Sequence, residues 1–199
     1  MNAINLDWLI RMRWCAVLGQ AALVAVAHAI GIALPLGELS AIITVIALTN
    51  VGCMIVARRA REVHEWWLAA VMAFDTVALT GLLSLTGGPF NPFSFLYLVQ
   101  IALASVVLRE PFTWALVLLS MAGSALLFAH HRPMAVGGGT HEDHMAFHLR
   151  GMWVAFTVAA ASIVYFLMRV TRALARREAD LQRAREMTAR QERLASLAT

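Results

Sequence analysis

The chain has few charged residues, only two cysteines and no lysine. Of its 199 residues, 14% are charged and 60% are hydrophobic, whereas a soluble domain of this length would carry a more polar surface. The cysteines, Cys15 and Cys53, are too few and too far apart for a disulfide framework. The sequence also lacks a DNA- or RNA-binding motif and the alternating pattern of a transmembrane β-barrel. These absences indicate a helical membrane protein that does not bind nucleic acid.

Six long apolar runs are typical of membrane-spanning helices. Each is long enough to cross a hydrocarbon core of about 30 Å as an α-helix. The predicted spans are Trp14–Leu34, Leu39–Ala57, Trp67–Leu85, Pro92–Leu108, Phe112–Ala129 and Gly151–Met168. A charged segment without glycine or proline follows them and favours a helix. We therefore predict an all-α polytopic membrane protein, with a six-helix transmembrane domain over residues 1–168 and a linker helix over residues 169–199.

The distribution of arginine predicts the orientation of these spans. All sixteen basic residues of the chain are arginine, and short loops rich in positive charge usually face the cytoplasm. Only Arg132 and Arg150 fall on one side of the predicted spans, and the other fourteen, Arg11 and Arg13 among them, fall on the opposite side. We therefore expect both termini to lie in the cytoplasm and the arginines to contact anionic lipid.

The stretch Thr86–Leu98 interrupts the apolar pattern between the third and fourth predicted spans. Asn91 followed by Pro92 is typical of a helix N-cap and the first helical residue. The pair Gly87-Gly88 permits backbone conformations that are closed to other residues. A capped turn between two membrane helices would therefore explain the whole stretch.

A ligand site is the alternative interpretation of the same stretch. A quinone needs an apolar slot for its ring and isoprenoid tail, together with a few donors for its two carbonyls. Phe90, Phe93 and Phe95 could supply aromatic faces, and the Asn91 amide and unpaired backbone N–H groups could supply donors. Local chemistry leaves both interpretations open.

The glycines and the asparagine of this stretch also resemble a known signature. The pattern GGxxNPF, the quinone-site signature of the RegB/PrrB/ActS redox-sensor histidine kinases, is matched by Gly87, Gly88, Asn91, Pro92 and Phe93, with Pro89 and Phe90 at its variable positions. Other segments that resemble this family are Arg11–Gln20 (RMRWCAVLGQ), Ala73–Gly88 (AFDTVALTGLLSLTGG) and Glu192–Thr199 (ERLASLAT). The resemblance covers essentially the whole chain.

This resemblance implies a function. It implies a homodimeric sensor in the bacterial inner membrane that binds ubiquinone at the heptapeptide and follows the redox state of the quinone pool. Histidine autophosphorylation, with its ATP and Mg²⁺, and transfer of phosphate to a cytoplasmic response regulator would belong to a kinase region beyond Thr199. The family's redox-active cysteine would lie there too, so Cys15 and Cys53 are interpreted as packing residues.

Asp75 is a carboxylate inside the third predicted span. A charged side chain in the membrane is costly and normally faces a polar partner. The candidate partners are Gln100, Asn50 and His28. Asp75 could tie helices together, or it could form with Gln100 a polar switch that takes part in quinone sensing.

The loop between the fifth and sixth predicted spans is rich in histidine. His141, His144 and His148 are spaced i, i+3, i+7, which places them on one face if the last helix begins early. Three imidazoles could bind Zn²⁺ or Cu²⁺. The other interpretations are a loop whose charge responds to pH and a plain solvated loop.

The segment after the last span has a patchy heptad pattern. Leu174 and Leu181 are seven residues apart, as are Met187 and Leu194, with a phase step between the two pairs. This pattern is consistent with a parallel dimeric coiled coil. The alternative is a solvated arginine-rich helix that lies against anionic lipid.

A small polytopic transporter or channel subunit is the competing functional class. In that class, Asp75, Asn50 and Gln100 would line a polar path through the membrane. The scarcity of charges inside the spans and the absence of clear pairs of broken helices argue against it. A membrane enzyme is disfavoured because no clustered nucleophile, base or metal site is apparent.

Overall fold

The computed structural model describes the backbone of residues 2–59, 64–132 and 141–197; side chains are described from Trp8 in the first helix and from His148 to Met187 in the last, except at positions 169, 173, 175, 177 and 184–186. The described part is all-helical, as predicted. Its six α-helices are α1 Asn2–Ala29, α2 Leu36–Arg59, α3 Glu65–Leu85, α4 Leu96–Val107, α5 Glu110–Ala129 and α6 His141–Leu197. Two short 3₁₀ turns, Gly88–Phe90 and Pro92–Phe95, connect α3 to α4.

Five segments of these helices are long and apolar enough to cross a membrane. They are Trp8–Ala29, Leu36–Arg59, Glu65–Leu85, Glu110–Ala129 and His148–Arg172. A sixth apolar segment, Pro92–Val107, is shorter. The described residues therefore form a multi-pass helical bundle with five to six segments of membrane-spanning character, in the order that the sequence predicts.

The first helix ends earlier than the predicted span Trp14–Leu34. Gly31 has a φ of 85°. Its N–H donates to the His28 carbonyl at 3.0 Å, and the Ile32 N–H donates to the Ala27 carbonyl at 3.0 Å. This pair of hydrogen bonds is a Schellman motif, which closes a helix with a left-handed glycine. The prediction that the span continues to Leu34 is therefore wrong.

The last helix joins two segments that the sequence analysis treated separately. The predicted span Gly151–Met168 and the linker 169–199 lie in one helix, α6, that runs without a break from His141 to Leu197. Proline is absent from this stretch and Gly151 is its only glycine, so nothing interrupts the backbone hydrogen bonds. At 1.5 Å per residue, α6 is about 85 Å long.

The helices pack mainly as three pairs, α1 with α2, α3 with α5, and α4 with α6. We call the end of the bundle that carries Thr86–Phe93 the motif end, and the end from which α6 continues to Leu197 the tail end. Near the motif end, a buried cluster of Leu79, Leu83, Tyr97 and Leu127 supports the connection between α3 and α4. Toward the tail end, Trp8 of α1 packs edge-on against Phe166 of α6, with ring centroids 5.6 Å apart.

Candidate ligand-binding site

The two glycines of the turn adopt conformations that other residues rarely reach. Gly87 has a φ of 101° and Gly88 a φ of 59°, both in the left-handed region. A Cβ atom on Gly88 would lie 2.3 Å from the Cβ of His131, just after α5. Backbone conformation and this close approach therefore explain both glycines without a ligand.

Asn91 holds the turn together. Its Oδ1 accepts a hydrogen bond from the Phe93 N–H at 2.8 Å, which confirms that it is an N-cap, although it caps the 3₁₀ turn Pro92–Phe95 rather than α4 itself. Its Nδ2 donates to the carbonyl oxygen of Thr86 at 2.8 Å and to Thr86 Oγ1 at 2.6 Å. The side chain is 7% exposed, and both of its amide hydrogens are engaged within the turn. The predicted use of this amide as a donor to a quinone is therefore unavailable in this conformation.

The aromatic residues of the turn face different surroundings. Phe90 is 70% exposed, and its ring packs against His131 with centroids 6.0 Å apart. Phe95 packs edge-on against Phe156 of α6, with centroids 6.3 Å apart. Phe93 lines a cavity, so among the three it is the one placed to contact a ligand there.

That cavity lies beside the turn and has a volume of about 440 Å³. Its walls come from α1, the connection between α1 and α2, the start of α2, α3, the second 3₁₀ turn, the start of α4 and the motif-end part of α6. Leucine, isoleucine, valine and alanine form most of the lining. Of the seven residues predicted to bind quinone, the cavity is lined by Asn91, Pro92 and Phe93 and not by Gly87, Gly88, Pro89 or Phe90. The structure thus divides the heptapeptide into residues that shape the turn and residues that border the cavity.

Three polar residues outside the predicted quinone site also border this cavity, Gln20, Thr86 and Arg150. Gln20 comes from α1 and Arg150 from the motif-end part of α6. The Oε1 atom of Gln20 is buried and receives no hydrogen bond from any described residue. The available signal was the segment Arg11–Gln20, which resembles the sensor kinases and ends on this glutamine.

The second turn also contacts α6 directly. A Cβ atom on Gly151 would lie 3.0 Å from Pro92 Cγ, so the absence of a side chain at this position allows the helix to approach the proline ring. The Phe95–Phe156 contact lies on the same helix. Residues that border the cavity are therefore connected to the helix that forms the tail.

A buried ion pair joins α1 to α3. Arg13 Nη2 lies 2.8 Å from Asp75 Oδ1, and Arg13 Nε lies 2.9 Å from Asp75 Oδ2. Arg13 is only 4% exposed, so it lies inside the bundle and not at its surface. A carboxylate and a guanidinium that are both withdrawn from solvent neutralise each other and avoid the cost of an isolated buried charge.

Polar residues of α2 complete this cluster. Arg13 donates to Thr49 Oγ1 at 2.8 Å and to Asn50 Oδ1 at 3.4 Å. Asn50 in turn donates to the Ile10 carbonyl of α1 at 3.1 Å. Asn50 is thus a neighbour of Asp75 through Arg13, while the described hydrogen bonds of Asp75 go to Arg13 and not to Gln100 or His28. Because Arg13 donates hydrogen bonds to both Asp75 and Asn50, this cluster gives no support to a polar transport path.

The other candidate residues are the histidines of the loop before α6, the two cysteines and the apolar residues of the tail. The side chains of His141 and His144 lie outside the described residues, and among the described side chains no group of three His, Cys, Asp or Glu could hold a metal ion. Cys15 is exposed and Cys53 is buried. In the tail, Leu174, Leu181 and Met187 are exposed, and Leu194 lies outside the described side chains.

Comparison with known proteins points to one kind of sensor. The sensor histidine kinase RegB of Cereibacter sphaeroides is 28% identical to this chain over 170 residues, which cover 82% of the chain and 37% of that relative. The chain therefore spans less than half of the length of this relative. No family model matches the chain, and no solved structure matches it. The similarity is consistent with the N-terminal sensor region of a RegB-family kinase.

Proposed function

We propose that this chain is the transmembrane sensor region of a two-component sensor histidine kinase, and that the cavity beside the turn binds ubiquinone. The observation that carries the ligand assignment is the position of Asn91, Pro92 and Phe93 on the border of an apolar cavity of about 440 Å³. Cavities of about 300–1,000 Å³ suit small-molecule ligands. The similarity to RegB over 82% of the chain supports the sensor role.

The chemistry of the walls suits a quinone better than a polar ligand. Aliphatic side chains and the Phe93 ring can surround the quinone ring and its isoprenoid tail. A few polar groups, those of Gln20, Thr86 and Arg150, stand among these apolar residues. This combination of an apolar slot with sparse polar groups is what a molecule with a long hydrocarbon tail and two carbonyls requires.

The same contacts suggest how occupancy of the cavity reaches the tail. Pro92 borders the cavity and also meets α6 at Gly151. A ligand that binds more tightly to one packing of the turn against α6 shifts the population toward that packing. Since α6 is continuous to Leu197, a change in its position at the motif end is carried along the helix. A kinase region after the tail would receive this change, autophosphorylate on histidine with ATP and Mg²⁺, and pass phosphate to a response regulator.

The membrane, the orientation and the oligomer belong to the same proposal. A RegB-like sensor would lie in the bacterial inner membrane with both termini in the cytoplasm, and the arginine distribution favours this orientation. The exposed apolar side chains of Leu174, Leu181 and Met187 in the tail favour a homodimer.

The test is quinone binding by the purified chain in lipid nanodiscs. We expect ubiquinone with one isoprenoid unit to bind, and Phe93→Ala to weaken the affinity about tenfold, or by about 1.4 kcal/mol, because an aromatic wall of the cavity is lost. Phe90→Ala is the matched control, since Phe90 belongs to the same heptapeptide but does not line the cavity. Native affinity in Phe93→Ala, or no binding by the unmodified chain, would contradict the proposal.

A further inference from the structure

Gln20 is a polar residue of α1 in a wall that is otherwise mostly apolar. It borders the cavity beside the turn, and its Oε1 is buried without a hydrogen-bond donor among the described residues. A buried amide oxygen without a partner is unfavourable relative to one that is hydrogen-bonded. Because the Gln20 side chain lines the cavity, a molecule that occupies the cavity could supply this missing partner.

The other uncharged polar groups on the cavity border already have partners. Both hydrogens of the Asn91 amide go to Thr86. The Thr86 hydroxyl donates to the Leu82 carbonyl at 2.7 Å and accepts from Asn91. Arg150 is exposed. Among the uncharged polar side chains that line the described cavity, Gln20 is therefore the one with unused hydrogen-bonding capacity.

We infer that Gln20, and not the asparagine of the heptapeptide, makes the hydrogen bond to the head group of the bound quinone. The inference rests on the function proposed above. An amide carries a donor and an acceptor on one side chain. The unpartnered Oε1 can accept from a hydroxyl of the reduced ring. A half-turn of the amide exchanges Oε1 with Nε2, which can then donate to a carbonyl of the oxidised ring. Gln20 thus determines specificity for a ring that bears oxygen substituents in either redox form.

The test replaces Gln20 by methionine, which keeps the length of the side chain and removes both hydrogen-bonding atoms. In nanodiscs that contain the full chain, we expect Gln20→Met to bind ubiquinone with one isoprenoid unit about fivefold to tenfold more weakly, as the loss of one hydrogen bond predicts. We also expect the infrared carbonyl band of the bound quinone to move toward its position in hydrocarbon, a change that a purely structural role of Gln20 would not cause.

Gln100→Met is the matched control. It makes the same exchange in α4, at a half-buried glutamine that does not line the cavity, and we expect native affinity and a native carbonyl band. Native values for both quantities in Gln20→Met would overturn the inference and leave the proposed function intact. No quinone binding by the unmodified chain would instead overturn the proposed function.

A second measurement does not depend on the folding of a variant. A photoreactive azidoquinone bound to the unmodified chain should label the α1 peptide that contains Gln20, in addition to peptides from the turn. Labelling that is confined to α3, α4 and α6 would contradict a contact between the head group and α1.

Discussion

Arg13 and Asp75 form an ion pair inside the bundle, and its energetics depend on both partners being present. Three Arg13–Asp75 contacts lie between 2.8 and 3.1 Å, and Thr49 and Asn50 accept further hydrogen bonds from the guanidinium. Removing one ion from such a pair leaves the other buried without a counter-charge, whereas replacing both with apolar residues is often neutral. Each ion is therefore stable inside the bundle only while the other is present, and the pair links α1 to α3.

We expect Asp75→Asn to lower the free energy of unfolding by about 3–5 kcal/mol, because Arg13 then lacks its counter-ion. The double variant Arg13→Met/Asp75→Leu should recover most of this loss. Reversible unfolding in mixed detergent micelles measures both values. Asp180→Asn, which removes an exposed ion pair with Arg183, is the control and should change stability by less than about 1 kcal/mol.

The double variant also separates the two interpretations of Asp75. If its quinone response is native, the pair is a structural tie; if the response is lost although stability has recovered, Asp75 is a switch.

The sequence predicts a polar partner for Asp75 but not its identity. Arg13 stands beside an apolar run and looks like an interfacial charge, and only the rotation of α1 about its axis turns it inward. The same holds for Gln20, because only the rotation of α1 places this residue on the border of the cavity.

At the scale of elements, local chemistry determines much of the turn between α3 and α4. The Asn91 cap and the need for glycine at Gly87 and Gly88 follow from short-range rules that the sequence carries. The cavity does not, because its walls come from helices distant in the chain, such as α1 and α6. The order of the helices follows from the order of the apolar runs, and the absence of proline is the local reason that α6 continues without a break into the tail.

We expect Gly151→Ala to uncouple the turn from α6. The new Cβ would lie 3.0 Å from Pro92 Cγ, so the helix or the proline must shift by a few tenths of an ångström. Distances between spin labels on Leu174→Cys in the tail, measured with and without ubiquinone, report the coupling. We expect the quinone-dependent equilibrium to change by about 0.5–2 kcal/mol.

Gly52→Ala is the control for this experiment. It makes the same exchange in α2, where a Cβ atom would meet no other atom within 4 Å, and its quinone response should be native. An unchanged response in Gly151→Ala would mean that the Pro92 contact does not carry the signal and that the tail responds through another route.

At the scale of the whole molecule, α6 extends beyond the part of the chain that packs into a bundle. Leu174 and Leu181 are 55% and 59% exposed, and Leu167, seven residues before Leu174, is 64% exposed. Three leucines at heptad spacing form an apolar stripe that no other described element of this chain covers. A second copy of the chain, packed in parallel through the same stripe, would cover it.

We therefore expect disulfide cross-links between copies when Leu174 or Leu181 is replaced by cysteine in a chain whose native cysteines, Cys15 and Cys53, are replaced by alanine. Arg176→Cys and Arg183→Cys are the controls, because two residues along a helix turn a side chain by about 200°, to the opposite face. Oxidation in native membranes followed by non-reducing electrophoresis gives the dimer yield at each position. Equal yields at all four positions would mean that the stripe faces lipid or solvent and that the copies, if they associate, do so through another surface. A high yield at the two leucines alone would place the α6 helices side by side, so that a shift started at Pro92 in each copy would alter the contact between the two tails.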